Sequence, residues 1–365
     1  MMIAKTASLA KKSTKNRKIP ALKIPAVAVL TVLVLLMLNP LPAAQAEETC
    51  IGVRDCMDQL LYGENRNIRE KAARVLGERG HAAAIPFLIE AMQKDASEFV
   101  RINSVIALGR IGAANSIDSL SAVLLNDERD HVRETSASAL GAIGKKAANT
   151  ALLDALKKDP NWRVRVEAAK ALGQVAHAES VLPLMDQLTD DPRQEVRFYA
   201  ARALTRYKRP EMVLTMLKIL KKEPDAEVRG EVVQVLAGIG AREAEEGLQV
   251  SLREDPDRRV RQRIVRILGE RKAVKAIPSL IEILRYDPAI EVRQEAVISL
   301  AGIDGHDARR ALKYYADKSI FPSIRRVAQD ALDDLLVSAP TPPERPAEVA
   351  EGGAAEAEGG ESAVN

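Results

Sequence analysis

The stretch Asp159-Pro160-Asn161-Trp162-Arg163-Val164-Arg165-Val166-Glu167-Ala168-Ala169-Lys170-Ala171-Leu172-Gly173 is one copy of a pattern that returns along the whole chain. Val164 is an aliphatic anchor followed by Arg165. Steps of 32 residues in either direction reach Ile68, Val100, Val132, Val196, Val228, Val260, Val292 and Ile324, and an arginine follows each. Eight residues past every anchor stands a leucine, from Leu76 through Leu172 to Leu332. A register held over nine copies without a slip is the mark of a solenoid, whose units bury apolar faces only against their neighbours.

Each unit reads as two helices. In the first, apolar residues fall at helical spacing, as in Ile85, Leu88, Ile89 and Met92, or Ile277, Leu280, Ile281 and Leu284. Pro86 and Pro278 suit its first turn, where the missing N–H costs nothing. The helix ends near an acid: Asp95, Asp127, Asp159, Asp191, Glu223, Asp255 or Asp287. Pro160, Pro192, Pro224, Pro256 and Pro288 follow five of these and are expected to open the second helix. That helix buries the anchor, the small residue four on and the leucine eight on. Gly77, Gly109, Gly141, Gly173 and Gly269 are expected to close second helices, and Gly80, Gly112, Gly144 and Gly240 to form the turn beyond, in the left-handed conformation that helix ends favour. With 3% aromatic residues against 47% hydrophobic, the composition suits stacked helices rather than strands. The expectation is all-α: a right-handed α-solenoid of nine helix pairs from about Ile51 to Leu336. At roughly 8–10 Å per layer it would be on the order of 80 Å long.

The ends have a different character. Residues 1–46 hold seven basic residues and no acid, then an apolar run from Ala26 to Leu38, Pro40, Pro42 and Ala44-Gln45-Ala46. A basic segment, a short apolar core and an A-x-A site describe a signal peptide. The run of 13 residues is short of the roughly 20 that a spanning helix needs. Cleavage after Ala46 is expected, with an uncleaved N-terminal anchor as the alternative. The chain is then exported, either periplasmic or held in the inner membrane and facing the periplasm, with the membrane involved only through an uncleaved leader. Residues 47–337 form the solenoid. Residues 338–365, rich in Ala, Pro, Glu and Gly, bury too little to order themselves and form an acidic tail.

The formal charge of +3 falls to −4 once the seven basic leader residues are removed, and the tail alone carries −5. The solenoid is therefore near neutral, which excludes the basic stripe of a nucleic-acid surface. Cys50 and Cys56 are the two cysteines. Cys56 stands in a core column with Leu88, Leu120 and Leu152. Two helical residues six apart lie about 9 Å from each other, beyond the ~7 Å reach of a bridge. A disulfide thus requires Cys50 to lie off the helix; the other reading is two unpaired thiols with Cys56 buried.

The Asp, Val-Arg and Ala-Leu-Gly spacing resembles HEAT repeats, in the short form of the HEAT-like repeats of phycobilin lyases, over residues 51–336. The resemblance implies an Asp–Arg ladder that ties neighbouring repeats. Its members are Asp95/Arg101, Asp127/Arg133, Asp159/Arg165, Asp191/Arg197, Glu223/Arg229, Asp255/Arg261 and Asp287/Arg293, each acid also placed to accept backbone N–H groups at the adjacent helix start. It also implies second helices on the concave side. The family is a weak guide to activity, because such repeats serve many functions.

His81, His131, His177 and His306 stand apart from one another and from the cysteines and read as surface turn residues. No His-Glu dipeptide is present, which removes the di-iron hydroxylase branch of HEAT-like proteins. There is no P-loop, G-x-G-x-x-G, G-x-S-x-G or H-E-x-x-H. No catalytic, metal or cofactor-binding residue is assigned.

The outer columns of the second helices carry the binding expectation. Those of Glu70, Lys71, Arg74 and Glu78 point away from the buried anchor and are polar in most repeats. In the second, fourth and fifth they hold Ile102, Ile106, Val166, Phe198 and Tyr199, beside Lys170, Arg202 and Arg206, and Trp162 opens the fourth. Apolar and aromatic residues edged with arginine suit a protein or peptide partner in the trough; the alternative is that they pack under neighbouring repeats. The function expected is a non-enzymatic exported scaffold. The alternatives are a lyase or lyase-accessory protein of the phycobilin lyase type and a DNA-binding glycosylase, the last excluded by charge and export.

Overall fold

The computed structural model describes residues 50–337; the expectations for residues 1–46 and 338–365 lie outside the described residues. Nine helix pairs follow one another. The first helices are α1 (Val53–Tyr62), α3 (Ile85–Lys94), α5 (Ile117–Asn126), α7 (Asn149–Lys158), α9 (Val181–Asp190), α11 (Val213–Lys222), α13 (Arg242–Glu254), α15 (Ile277–Tyr286) and α17 (His306–Lys318). The second helices are α2 (Arg66–Arg79), α4 (Glu98–Ile111), α6 (Asp130–Ile143), α8 (Trp162–Val175), α10 (Gln194–Leu204), α12 (Ala226–Ile239), α14 (Arg258–Glu270), α16 (Ile290–Ile303) and α18 (Pro322–Val337). The all-α solenoid is as the sequence predicts. Among the described residues no helix is long and apolar enough to cross a membrane.

The repeated leucines form one continuous core. Leu88, Leu120, Leu152 and Leu184 of the first helices and Leu108, Leu140, Leu172 and Leu204 of the second are all fully buried. Burying each such side chain contributes about 1.5–3 kcal/mol, which a pair standing alone would lose on its two open sides. The end repeat meets water: Gln329, Asp333 and Asp334 of α18 are exposed where inner repeats have Ala, Gly or another apolar residue.

Two details of the helix ends differ from expectation. The prolines do not open the second helices. Pro160 lies in a short loop, Asn161 is the N-cap of α8, and Asp159 closes α7. The Asp159 carboxylate accepts the Asn161 N–H at 2.8 Å, a local turn that occupies the acid before any helix starts. The glycines also divide into two kinds. Gly80, Gly112, Gly144 and Gly240 take the left-handed cap, with φ between 66° and 74°. Ala176, Lys208, Lys272 and Asp304 hold the same place at positive φ without that freedom.

Gly77, Gly109, Gly141 and Gly173 instead lie within their helices, where they let two second helices touch. A Cβ built on Gly77 would come within 2.7 Å of Ala107 Cα, and one on Gly173 within 3.1 Å of Ala203 Cα. Each glycine faces a small residue thirty positions on, as Gly269 faces Ser299. The second helices accordingly pack much more closely along the stack than the first helices do. In a curved stack the tighter layer is the inner one, so the second helices form the inner wall.

The described residues begin with a disulfide. Cys50 precedes α1, Cys56 lies within it, and the two are bonded with a Cα–Cα distance of 4.9 Å. The reading of two unpaired thiols is thereby corrected. Cys50 stands off the helix, which lifts the separation limit that a continuous helix would impose. Both sulfurs are buried, and Arg79 of α2 donates to the carbonyls of Ile51 at 3.1 Å and Cys50 at 3.2 Å.

Candidate partner-binding wall

The ladder exists, but its rungs join other partners. Arg101 donates Nε to Asp127 at 2.9 Å and Nη2 to the same carboxylate at 3.0 Å, while Nη1 donates to the main-chain carbonyl of Asp95. The acid six residues back thus supplies its carbonyl, and the acid 26 residues on supplies its carboxylate. The same bidentate pairing joins Arg69–Asp95, Arg133–Asp159, Arg165–Asp191, Arg197–Glu223, Arg229–Asp255 and Arg261–Asp287. Arg69 adds a rung that the sequence reading omitted. Arg293 meets Ser319 where an acid would stand; it keeps the Asp287 carbonyl and lays its guanidinium over Phe321, 4.9 Å from the ring centre. Seven of these eight arginines thus meet a carboxylate of the next repeat, which ties neighbouring repeats together. Hydrogen bonding to the next repeat's acid holds the guanidinium pKa of Arg101, Arg133, Arg197, Arg229 and Arg261 above its ordinary value, against the opposing effect of burial.

The expected wall residues divide by exposure. Val166 is 5% exposed and packs beneath its neighbours, so it is removed from any contact surface. Ile102, Phe198 and Tyr199 are half-buried with one side against the core. Ile106, Arg202 and Arg206 are exposed. Phe99, which the column reading missed, is 46% exposed at the start of α4, with Arg66 stacked 5.5 Å from its ring centre. Its signal lay in the column of Asn67, His131 and Arg163, otherwise polar, one turn before the columns inspected.

Two aromatic groups stand on this wall beside Phe99. Phe198 and Tyr199 meet edge to face at 5.1 Å, and Lys170 sits 4.3 Å over the Tyr199 ring while pairing with Glu167. Trp162, half-buried, is covered by Arg193 at 4.9 Å and Arg163 at 5.4 Å. Stacked cations of this kind fix the ring faces and leave the edges for a partner.

A cleft of about 710 Å³ opens on the same wall between α10, α12 and α14, lined among others by Arg202, Thr205, Glu231, Gln234, Ile267 and Arg271. Its origin lies in side-chain size. Where neighbouring repeats bring Gly to Ala, the equivalent positions here hold Thr205 with Val235 and Ala237 with Ile267, and these helices touch less than the pairs just before and after them. The helix α10 also stops at Leu204, and Tyr207 in the following turn donates its hydroxyl to the Leu172 carbonyl at 2.9 Å.

The histidines do not gather. His81 lies in a turn, His131 and His306 open helices, and His177 is half-buried beside Glu179. Among the described residues no cluster of His, Cys, Asp and Glu suits a metal ion.

Helix pairs locked by an Arg–carboxylate ladder, with one helix of each pair forming an inner wall, define an α-solenoid repeat protein. The chain belongs to the HEAT-repeat family, whose model matches residues 54–141, 117–205, 181–250, 213–301 and 245–333. No curated protein sequence matches it. Among solved structures it is similar to yeast importin-beta (Kap95p), with a TM-score of 0.50 and 15% identity over 84% of this chain and 46% of that one. It therefore spans about half the length of that protein. It is also similar to the complex of CpcE and CpcF of phycocyanin lyase from Nostoc sp. PCC7120, at 18% identity over 81% of this chain and 98% of that one, with a TM-score of 0.34. Human deoxyhypusine hydroxylase gives 20% identity, the same coverages and a TM-score of 0.33. At such identities the likeness is one of fold.

Proposed function

We propose that this protein is an exported scaffold without chemistry of its own, which binds a protein or peptide partner along the inner wall formed by its second helices. The observation that carries the reading is the set of apolar and aromatic side chains left on that wall, Phe99, Ile106 and the Phe198–Tyr199 pair, bordered by arginines. Phe198 and Tyr199 keep one side on the core and turn the other to the wall, Phe99 and Ile106 are exposed, and aromatic and arginine side chains dominate binding hot spots. The stack is preformed, so a partner is bound without the cost of ordering the groove. Yeast importin-beta, similar in fold, binds RanGDP. Export is supported by the leader and by the disulfide, which persists in oxidising compartments.

Photo-cross-linking from the wall tests the binding claim. A benzoylphenylalanine at position 103, on the inner wall between Phe99 and Ile106, should capture a partner in periplasm, whereas one at Leu182, exposed on the first helix α9, should not. Phe99→Asp with Ile106→Asp should abolish the capture without changing the melting temperature. Equal cross-linking from both positions, or capture that survives the double substitution, refutes the wall. N-terminal sequencing of the exported chain should begin at Glu47; an intact leader on a cytoplasmic protein refutes the export.

A further inference from the structure

Charge on the second half of the inner wall alternates helix by helix. Glu227 and Glu231 stand on α12, four arginines (Arg258, Arg259, Arg263, Arg266) on α14, and Glu291 and Glu295 on α16. The neighbours neutralise one another. Arg259 meets Glu227 at 3.2 Å and Arg263 meets Glu231 at 3.5 Å; Arg258 meets Glu291 at 2.8 Å and Arg266 meets Glu295 at 2.9 Å.

The helix α10 breaks this scheme. Arg202 near its end and Arg206 in the turn just past it are exposed, and neither is within ion-pairing distance of a carboxylate among the described residues. Glu231, the acid of α12 that lines the cleft with Arg202, is taken by Arg263 from the far side. Gln234 fills the next place on α12. Arg202 therefore lines the cleft without a counter-charge, one turn from the Phe198–Tyr199 pair, and Arg206 stands one turn further on.

We infer that this part of the wall receives an extended acidic segment of the partner protein, its carboxylates on Arg202 and Arg206 and an apolar side chain against Phe198 and Tyr199. The inference rests on the reading of the inner wall as a partner-binding surface and names the partner's chemistry. A neutral or basic segment would cover two arginines and leave them desolvated without a partner, which is costly. A carboxylate instead gains a two-pronged, charge-assisted bond from each guanidinium. A nucleic acid would meet the acids of α12 within one helix spacing, so no continuous basic track is on offer.

The test is fluorescence anisotropy with the purified full chain and three labelled peptides. One alternates Glu with Leu and Phe over twelve positions, one has Lys for every Glu, and the third is residues 338–365 of this chain, which carry six Glu and one Arg. The Glu peptide should bind about tenfold or more tightly than the Lys peptide, with affinity falling as salt rises. Arg202→Glu with Arg206→Glu should lose that preference, while Lys157→Glu, exposed on the first helix α7, should keep it. Equal affinity for both designed peptides, no binding of either, or indifference to the double substitution overturns the inference. Binding of the Lys peptide alone, lost on Phe99→Asp with Ile106→Asp, overturns the acidic partner but leaves the wall standing. Binding of the 338–365 peptide as tightly as the Glu peptide makes the occupant the chain's own tail and overturns the assignment to a partner.

Discussion

At the scale of the residue, the ladder arginine is the most demanding position in the repeat. Arg165 has a side chain 12% exposed, gives two hydrogen bonds to Asp191 and one to the Asp159 carbonyl, and faces a carboxylate only 3% exposed. Arg165→Ala leaves Asp191 charged, nearly buried and short of two donors, a loss of about 2–4 kcal/mol. The melting temperature should fall and partner affinity, measured after refolding, should change little. An unchanged melting temperature with lost binding would make the ladder a binding site instead. Because the raised pKa of Arg101, Arg133, Arg197, Arg229 and Arg261 belongs to a base, its stabilisation is complete below the ordinary arginine value and is lost only as pH rises above it. The arginine contribution is therefore flat through the neutral range. A second residue prediction concerns the left-handed cap. Ala176 sits at φ 53° where four other repeats have glycine. Ala176→Gly removes that strain, about 1 kcal/mol before the entropy of glycine is subtracted, and calorimetry should show a small rise in melting temperature. The sequence displayed these residue types at once but could not pair them. In a strict 32-residue repeat, an arginine six places after one acid is always 26 places before the next, so periodicity alone cannot choose between the two.

At the scale of the helix, separation decides what a small residue is for. Gly77→Ala gains up to about 1 kcal/mol of helix propensity but drives a Cβ to 2.7 Å from the Ala107 backbone, and overpacking of that kind costs about 1–3 kcal/mol. The clash wins, and the variant should melt lower. Gly238→Ala places its Cβ no nearer than 3.8 Å to the Thr205 carbonyl oxygen, so propensity wins and the variant should melt higher. Two shifts of the same sign in thermal melts would sink this account of the wall. The same distances explain where the candidate site was legible. Angular position, read at 100° per residue, points Ile106 and Arg202 away from the core, and both are exposed, as is Arg206 in the turn past α10. It could not report how near the next helix comes. Val166 shares a column with Ile102 and Phe198, yet α8 lies tight against α10 through Gly173 and Ala203, and Val166, two turns before Gly173 on the same face, is left only 5% exposed. The cleft was written in the pairs Thr205/Val235 and Ala237/Ile267, which become meaningful only once the small–small contacts elsewhere are known to set the spacing.

At the scale of the molecule, stability in a stack passes between neighbours, so the two terminal repeats, each with a repeat neighbour on one side alone, are its weakest places, and the first carries a bridge. The disulfide and Arg79 act there together. Bonding Cys50 to Cys56 closes a loop of a few residues, worth about 2 kcal/mol in the unfolded chain by the loop-closure account, and Arg79 then holds the segment by its carbonyls. Replacing both cysteines with serine also puts hydroxyls where two sulfurs are buried, so the first repeat should open more often than the rest. Amide hydrogen exchange should quicken across residues 51–79, less across α4, and not at all beyond α6, because each interface crossed dilutes the loss. Dithiothreitol on the native chain should reproduce the pattern. A uniform increase over all nine pairs would mean that the solenoid unfolds as a single unit; no change would mean that Arg79 and the buried Leu60 hold the end without the bridge. The graded outcome has a consequence for the wall. Phe99 and Ile106 lie in the second repeat, one interface from the opening end, while Phe198, Arg202 and Arg206 lie in the fifth. Loss of the disulfide should therefore weaken contacts made through Phe99 before those made through Arg202, and cross-linking from the two positions under reduction measures the difference.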